Sequence, residues 1–347
     1  MTLKASVIVN THNRPGYLEG CLRRLVRQSV AHCDYEIVVV DNSSAQFREA
    51  NRRAVDAIAG ENRDLTFRYA FDDVMGGLTH SRNLAVMLAR TNVIVQVDDD
   101  SLPCREYVAT AVSALSPADV VLVKGRLVAK YEGGDPDPDL IERLKKPVHG
   151  GYIIPDFTVI DLGSERVEIS PEIAYASNCA FKKDFYLGAG GFGPDGFPAP
   201  FLHWNGSGEY HYARAAPKLG HVIWYEPGMS ADHIIPAARL KSAFYFARSF
   251  YYGIGGSFDL IAQGNQPFSP ASIRAILRRA RTAAGHVRKA RFFEARREIE
   301  RIRGFVSHQL VCLRRREMRE YCRRKEWLSF DFSAVRPVGR SPARSQW

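Results

Sequence analysis

The sequence predicts an α/β fold, a mostly parallel sheet flanked by helices, followed by a basic helical extension. Two observations carry this. Between residues 5 and 115, short β-branched runs alternate with amphipathic stretches in the order strand, helix, strand, helix. Crossovers of that kind make neighbouring strands parallel and place helices on both faces of the sheet. Two of the runs stop on carboxylates, at Asp41 and at Asp98-Asp99-Asp100. In open sheets of this class ligands bind beyond the carboxyl ends of the strands, so these acids belong to a crevice rather than to the core.

Taken in order, Ala5 to Asn10 is the first strand and Thr11 to Gly16 the polar loop that ends it. From Tyr17 to Gln28, Leu18, Cys21, Leu22, Leu25 and Val26 recur at helical spacing, with Arg23, Arg24 and Arg27 on the other side. Tyr35 to Val40 is a second strand, closed by Asp41. Phe47 to Ala59 suits a surface helix, and Leu65 to Tyr69 a third strand. Gly76-Gly77 then precedes Ser81-Arg82-Asn83 and a helix through Leu84, Met87 and Leu88. The glycine pair either turns the chain or lets backbone approach a phosphate. Val93, Val95 and Val97 mark the fourth strand. The three carboxylates after it form a solvated acidic turn, or else a site where a cation relieves their repulsion. Hard oxygen ligands suit Mg²⁺ or Mn²⁺. A helix is expected around Glu106 to Leu115 and a further strand at Val120 to Val123.

Beyond that strand the pattern loosens. Gly133 to Gly151, with Asp135-Pro136-Asp137-Pro138-Asp139, reads as a long loop or lid. Gly188 to Gly208 is rich in glycine and proline. Glu209 is expected to open a helix through Ala213, Ala216 and Leu219, and His221 to Tyr225 is a late strand with Ala231-Asp232-His233 just past it. Pro236 to Ile261 is aromatic, interrupted by Arg248 and by Gly253, Gly255 and Gly256, so it does not read as a membrane span. After Pro270, Phe292, Ile299, Ile302, Val306, Leu310 and Leu313 recur every three or four residues among arginines, as in a basic amphipathic helix or helix pair. The Pro, Gly and Ser content from Val335 indicates a disordered tail. The expected domains are therefore 1–235, 236–334 and 335–347.

The formal net charge of +10 over 347 residues is concentrated, because Arg274 to Glu326 holds 18 Lys or Arg against 6 Glu. Such an excess fits an anionic membrane surface, against plain intramolecular docking or self-association; nucleic acid is not the expected partner. The six cysteines form no CxxC pair and show no histidine partner at zinc-like spacing, so neither a disulfide framework nor a structural metal site is expected. With only Ala5 to Val9 as an apolar run at the amino end, a cytoplasmic setting is expected, with peripheral attachment to the inner face of the membrane.

Several of these stretches, in this order, resemble family 2 glycosyltransferases of the GT-A fold. They are Val7-Ile8-Val9-Asn10-Thr11-His12-Asn13-Arg14-Pro15, Val39-Val40-Asp41-Asn42-Ser43, Gly76-Gly77 with Arg82-Asn83, and Val97-Asp98-Asp99-Asp100. Ser177 to Phe181, Gly190-Gly191-Phe192, Gly208-Glu209 and the late His233 follow, so the resemblance covers roughly residues 5 to 235. It implies an inverting, metal-dependent hexosyl transfer from a nucleoside-diphosphate sugar to a saccharide or lipid-linked acceptor, in polysaccharide or glycolipid biosynthesis. Thr11, Asn13, Arg14, Asp41, Arg82, Asn83, Asp98 and Asp99 would then bind the nucleotide sugar. Asp100 and His233 would hold the divalent cation, Mg²⁺ or Mn²⁺, and Glu209 would be the catalytic base. Here the sequence departs from the family, whose base lies in a pair of acids, because Tyr210 follows Glu209. Asp195 and His211 are the alternatives for the base. The alternatives for the whole chain are a sugar-nucleotide nucleotidyltransferase and a non-catalytic binding protein on a degenerate transferase scaffold.

Overall fold

The computed structural model describes residues 3–74, 77–174, 177–206 and 208–338. They fall into two compact units, the first of Met1–Val74, Leu78–Phe192 and Glu209–Ala237, the second of Met75–Gly77, Gly193–Gly208 and Ala238–Trp347.

The first unit is built on β1 (Ala5–Thr11) and β2 (Tyr35–Asp41), buried at every position. Parallel strands covered on both faces require such continuous apolar runs. The edge strand β3 (Thr66–Phe71) is only partly buried. Between and after them lie α1 (Pro15–Leu25), α2 (Ala45–Glu61) and α3 (Gly77–Leu88). The strands β4 (Val93–Asp98) and β5 (Ser101–Pro103) precede α4 (Tyr107–Ala114), and the long β6 (Val120–Tyr131) precedes α5 (Pro138–Leu144). Four short strands follow, β7 (Lys146–Val148), β8 (Gly151–Ile154), β9 (Val159–Asp161) and β10 (Val167–Glu168). The unit closes with β11 (Cys179–Lys182), α6 (Lys183–Gly188) and β12 (Val222–Ile235).

Among the described residues these strands form one sheet in the order β3-β2-β1-β4-β11-β6-β9-β8-β7, with β12 pairing β6, β10 and β5. β1 lies parallel to both β2 and β4, so the direction of strand addition reverses between β1 and β4. A sheet of this kind opens a crevice at that reversal, beyond the carboxyl ends of the two strands. Thr11 and Asp98-Asp99-Asp100 are the residues there.

The second unit contains α7 (Ser242–Ala262), α8 (Pro270–Arg288), α9 (Phe292–Arg314) and α10 (Arg316–Cys322). Its core gathers Trp204, Phe258, Ile261, Cys312, Met318, Tyr321, Trp327 and Phe332.

Several expectations need correction. Residues 133–151 are not one long loop, since Asp137 caps α5 by accepting from the Asp139 N–H, and β7 and β8 form a hairpin. Glu209 opens no α-helix: 208–210, 213–215 and 217–219 are separate 3₁₀ turns, the last begun by Pro217, which has no N–H to donate to a continuing helix. The glycines at 253, 255 and 256 do not interrupt α7. Gly253 and Gly304 are instead where α7 and α9 cross, for a Cβ on Gly253 would strike the Arg301 carbonyl and one on Gly304 the Phe250 carbonyl. Within the expected tail, residues 335–338 are packed, because Val335 and Val338 are buried and the Val338 N–H donates to the Pro200 carbonyl, while 339–347 lie outside the described residues. On α9 the apolar stripe is not the buried one: Phe292, Ile299 and Leu313 are exposed, while Phe305, His308, Gln309 and Cys312 face inward.

Candidate active site

The crevice at the ends of β1 and β4 holds a dense set of charges. Thr11 donates its hydroxyl to Asp99 (2.7 Å), which links the two strand ends directly. Arg14, in the loop before α1, reaches both Asp100 (2.9 Å) and Asp99 (3.4 Å). From α3, Arg82 donates to Asp98 (2.9 Å) and lies over the Phe192 ring, its carbon 4.6 Å from the centroid. His233 is delivered by β12, which pairs antiparallel with β5 so that His233 lies opposite Ser101, and the Ile234 N–H donates to the Asp100 carbonyl. Its Nε2 is 3.4 Å from an Asp100 carboxylate oxygen.

Burial dominates the electrostatics here. Asp99 and Asp100 are about 5 % and 4 % exposed. Burial, with the charge of Asp100 beside it, pushes the Asp99 carboxyl up to about 7, against the opposing pull of Arg14 and the Thr11 hydroxyl. Burial acts to lower the pKa of Arg14, but the charges of Asp99 and Asp100 outweigh it and raise it. A buried carboxylate pair thus faces the single, partly exposed guanidinium of Arg14.

The donor set fits a divalent cation. His233 Nδ1 is engaged by the Phe157 carbonyl at 2.8 Å, which presents Nε2 to Asp100. A nitrogen lone pair facing a carboxylate oxygen is repulsive unless a cation or proton lies between them, and a histidine oriented through its other nitrogen is the usual arrangement of a metal ligand. Neither atom of the buried Asn10 carboxamide has a hydrogen-bond partner, and Asn10 lies opposite Asp98 in the strand register, a further polar group at the crevice.

Other candidate residues have protein partners of their own. Asp41 is fully buried; it accepts from the Ser43 N–H (2.8 Å), the Asn51 amide (3.0 Å) and the Tyr69 hydroxyl (2.7 Å), and so fixes the loop after β2. Asn13, at φ 58°, ties the two loops together by accepting from the Ser44 N–H while its own N–H donates to Ser43. Asn83 accepts from the Tyr186 hydroxyl (2.6 Å) and the Phe192 N–H (2.9 Å), anchoring α3 to the segment after α6. Thr11, Arg14, Arg82, Asp98, Asp99, Asp100 and His233 converge, and Asp41 lies beside Thr11 in the strand register. The Glu209 backbone lies in a 3₁₀ turn, and its side chain is outside the described residues. Gly76 and the stretch at Tyr175 and Ala176 also lie outside them.

A sheet with this reversal is common to doubly wound folds, and its likeness to solved structures makes it GT-A-like. Residues 6–164 match the model of glycosyl transferase family 2, so the resemblance drawn from the sequence holds over that segment. Validoxylamine A glucosyltransferase of Streptomyces hygroscopicus subsp. limoneus is 24% identical over 216 residues, covering 58% of this chain and 45% of that protein. Glycosyltransferase AglE of Haloferax volcanii is 26% identical over 129 residues, 37% of this chain and 41% of its own length. The chain thus spans under half the length of these curated relatives. Among solved structures, the mannosyltransferase PcManGT of Pyrobaculum calidifontis, in complex with GDP-Man and Mn²⁺, shares the fold. Its TM-score is 0.53 at 18% identity, covering 93% of this chain and 85% of that one.

Proposed function

We propose that the protein is an inverting glycosyltransferase moving a hexose from a nucleoside-diphosphate sugar to an acceptor hydroxyl in polysaccharide or glycolipid assembly. The convergence of Asp98, Asp99 and Asp100 with Arg14, Arg82 and His233 beyond β1 and β4 carries this reading. Asp100 and His233 would hold a divalent cation, Mg²⁺ or Mn²⁺, whose positive charge stabilises the diphosphate as it leaves. Asp98 and Asp99, with Thr11, orient the donor at the strand ends. Arg14, partly exposed and paired to acids that a cation would neutralise, is the group free to turn toward the diphosphate. Arg82 holds Asp98 in place. Glu209 takes the proton from the acceptor hydroxyl as that oxygen attacks the anomeric carbon opposite the breaking bond to the diphosphate, giving inversion.

The experiment is a panel of sugar nucleotides assayed for metal-dependent transfer or hydrolysis. Asp100→Ala lowers kcat by about 10²–10³-fold. Glu209→Gln lowers kcat while leaving donor affinity in place. No turnover or binding with any donor overturns the reading, and an inert Glu209→Gln beside a dead Asp195→Asn or His211→Gln moves the base.

The same reading includes attachment of the second unit to an anionic bilayer from the cytoplasmic side. On α8, Ile273 and Leu277 are about half exposed one helical turn apart, and on α9 Phe292 is 67% exposed. Arg274, Arg278, Arg279 and Arg281 line a cleft of about 940 Å³, complementary to phosphate headgroups. None of the described helices is long and apolar enough to cross a membrane. Flotation with phosphatidylglycerol vesicles should fall several-fold in Arg274→Glu/Arg278→Glu; equal flotation with phosphatidylcholine, or no effect of the charge reversal, removes this attachment.

A further inference from the structure

The second unit brings together three side chains that the reaction does not use. His308 and Cys312 stand four residues apart on α9, hence on one helical face, and Cys322 ends α10. All three are fully buried, and their ligand atoms lie within 4.8 Å of one another. The scattered cysteines gave no reason to expect a histidine partner, yet His308-x₃-Cys312 supplies one within α9, and the fold adds Cys322 to it.

We propose that His308, Cys312 and Cys322 form a structural site for a thiophilic d¹⁰ cation, zinc above all. His308 Nε2 is 3.9 Å from the sulfur of Cys312 and 3.9 Å from that of Cys322, and the Cys312 sulfur also lies 3.7 Å from Nδ1 at the ring edge. With zinc–sulfur bonds of about 2.3 Å and zinc–nitrogen bonds of about 2.0 Å, a tetrahedral ion separates N and S ligands by about 3.5 Å, so each thiol needs to close on Nε2 by only a few tenths of an ångström, and the three residues supply three of the four tetrahedral positions. The other ring nitrogen is held: Nδ1 lies 2.8 Å from Ser257 Oγ on α7, and the Gln309 amide donates to that same oxygen at 2.7 Å. A histidine oriented by a fixed hydrogen-bond partner at one nitrogen, with two thiols within 3.9 Å of the other, has the support that metal ligands require. Thiolates and imidazole select zinc or Cu(I) over the oxygen-loving ions suited to Asp100. Binding displaces the two thiol protons to solvent and joins α9 to α10, with α7 behind them.

This assignment is independent of the transfer reaction, and its test avoids the first site. Protein carrying Asp100→Ala, purified without added metal and exchanged through EDTA, is measured by elemental analysis and then titrated with Zn²⁺ and with Co²⁺. About one zinc per chain is expected, together with a thiolate-to-cobalt charge-transfer band and a higher Tm for the loaded protein than for the stripped one. Cys322→Ser and His308→Gln should each lose the band and at least ten-fold in zinc affinity. Should these variants misfold, stripping and reloading the unmutated cluster tests the site through the Tm alone. No zinc uptake, uptake unchanged in both variants, or a Cys312–Cys322 disulfide in the purified protein by alkylation and mass spectrometry overturns the site.

Discussion

The acids at the end of β4 show what a single residue contributes when its neighbours are fixed. Asp99 and Asp100 are ordinary as letters, yet burial and mutual repulsion hold Asp99 near neutrality, and only the Thr11 hydroxyl and Arg14 restrain it. The sequence revealed these acids because an apolar run ended on them. It said less about Asn83, for nothing in Arg82-Asn83 indicates that the two neighbours divide their work. Arg82 faces Asp98, and Asn83 turns away to satisfy Tyr186 and Phe192. That division depends on partners more than a hundred positions distant, which no local pattern encodes. Asn83→Leu leaves a buried tyrosine hydroxyl and a backbone N–H without their acceptor, and should cost about 1–3 kcal/mol in urea unfolding while leaving Asp100 chemistry intact.

At the scale of elements, periodicity located strands and helices well and misjudged how helices meet. β1, β2 and β4 were legible because a parallel strand buried on both faces must be apolar throughout. α9 was legible as a helix but not in its orientation: the hydrophobic stripe left membrane, docking and self-association open, and the second unit buries another face, lined by Gly304, Phe305, His308 and Cys312. The reason is the close approach of α7 and α9 at Gly253 and Gly304, which rewards the absence of a side chain rather than the presence of an apolar one. Gly304→Ala should therefore force the helices apart and lower the Tm by several degrees, a loss of about 1–3 kcal/mol, although alanine is the better helix former. A neutral or stabilising effect in calorimetry would mean that the crossing is loose.

Across the whole molecule the two units carry different pH liabilities. In the second, burial pushes the His203 imidazole down to about 4 from an ordinary 6.5, helped by the nearby charge of Arg315, while its Nε2 pairs with Ser307. Because the unfolded chain binds this proton first, the neutral histidine's contribution is complete above pH 6.5 and is lost as the pH falls toward 4. Calorimetry at pH 7 and pH 5 should show the Tm of this unit dropping, and His203→Gln should shrink the drop; equal drops in both proteins would exonerate His203. The placement of β11 between β4 and β6, finally, bears on the order in which the protein can be made. As the chain leaves the ribosome, β1 to β4 emerge long before their inner neighbour at residues 179–182, and His233 comes later still. A half-synthesised chain would thus expose a naked central strand edge beside its acidic strand end, an interval in which nascent chains are open to chaperone capture.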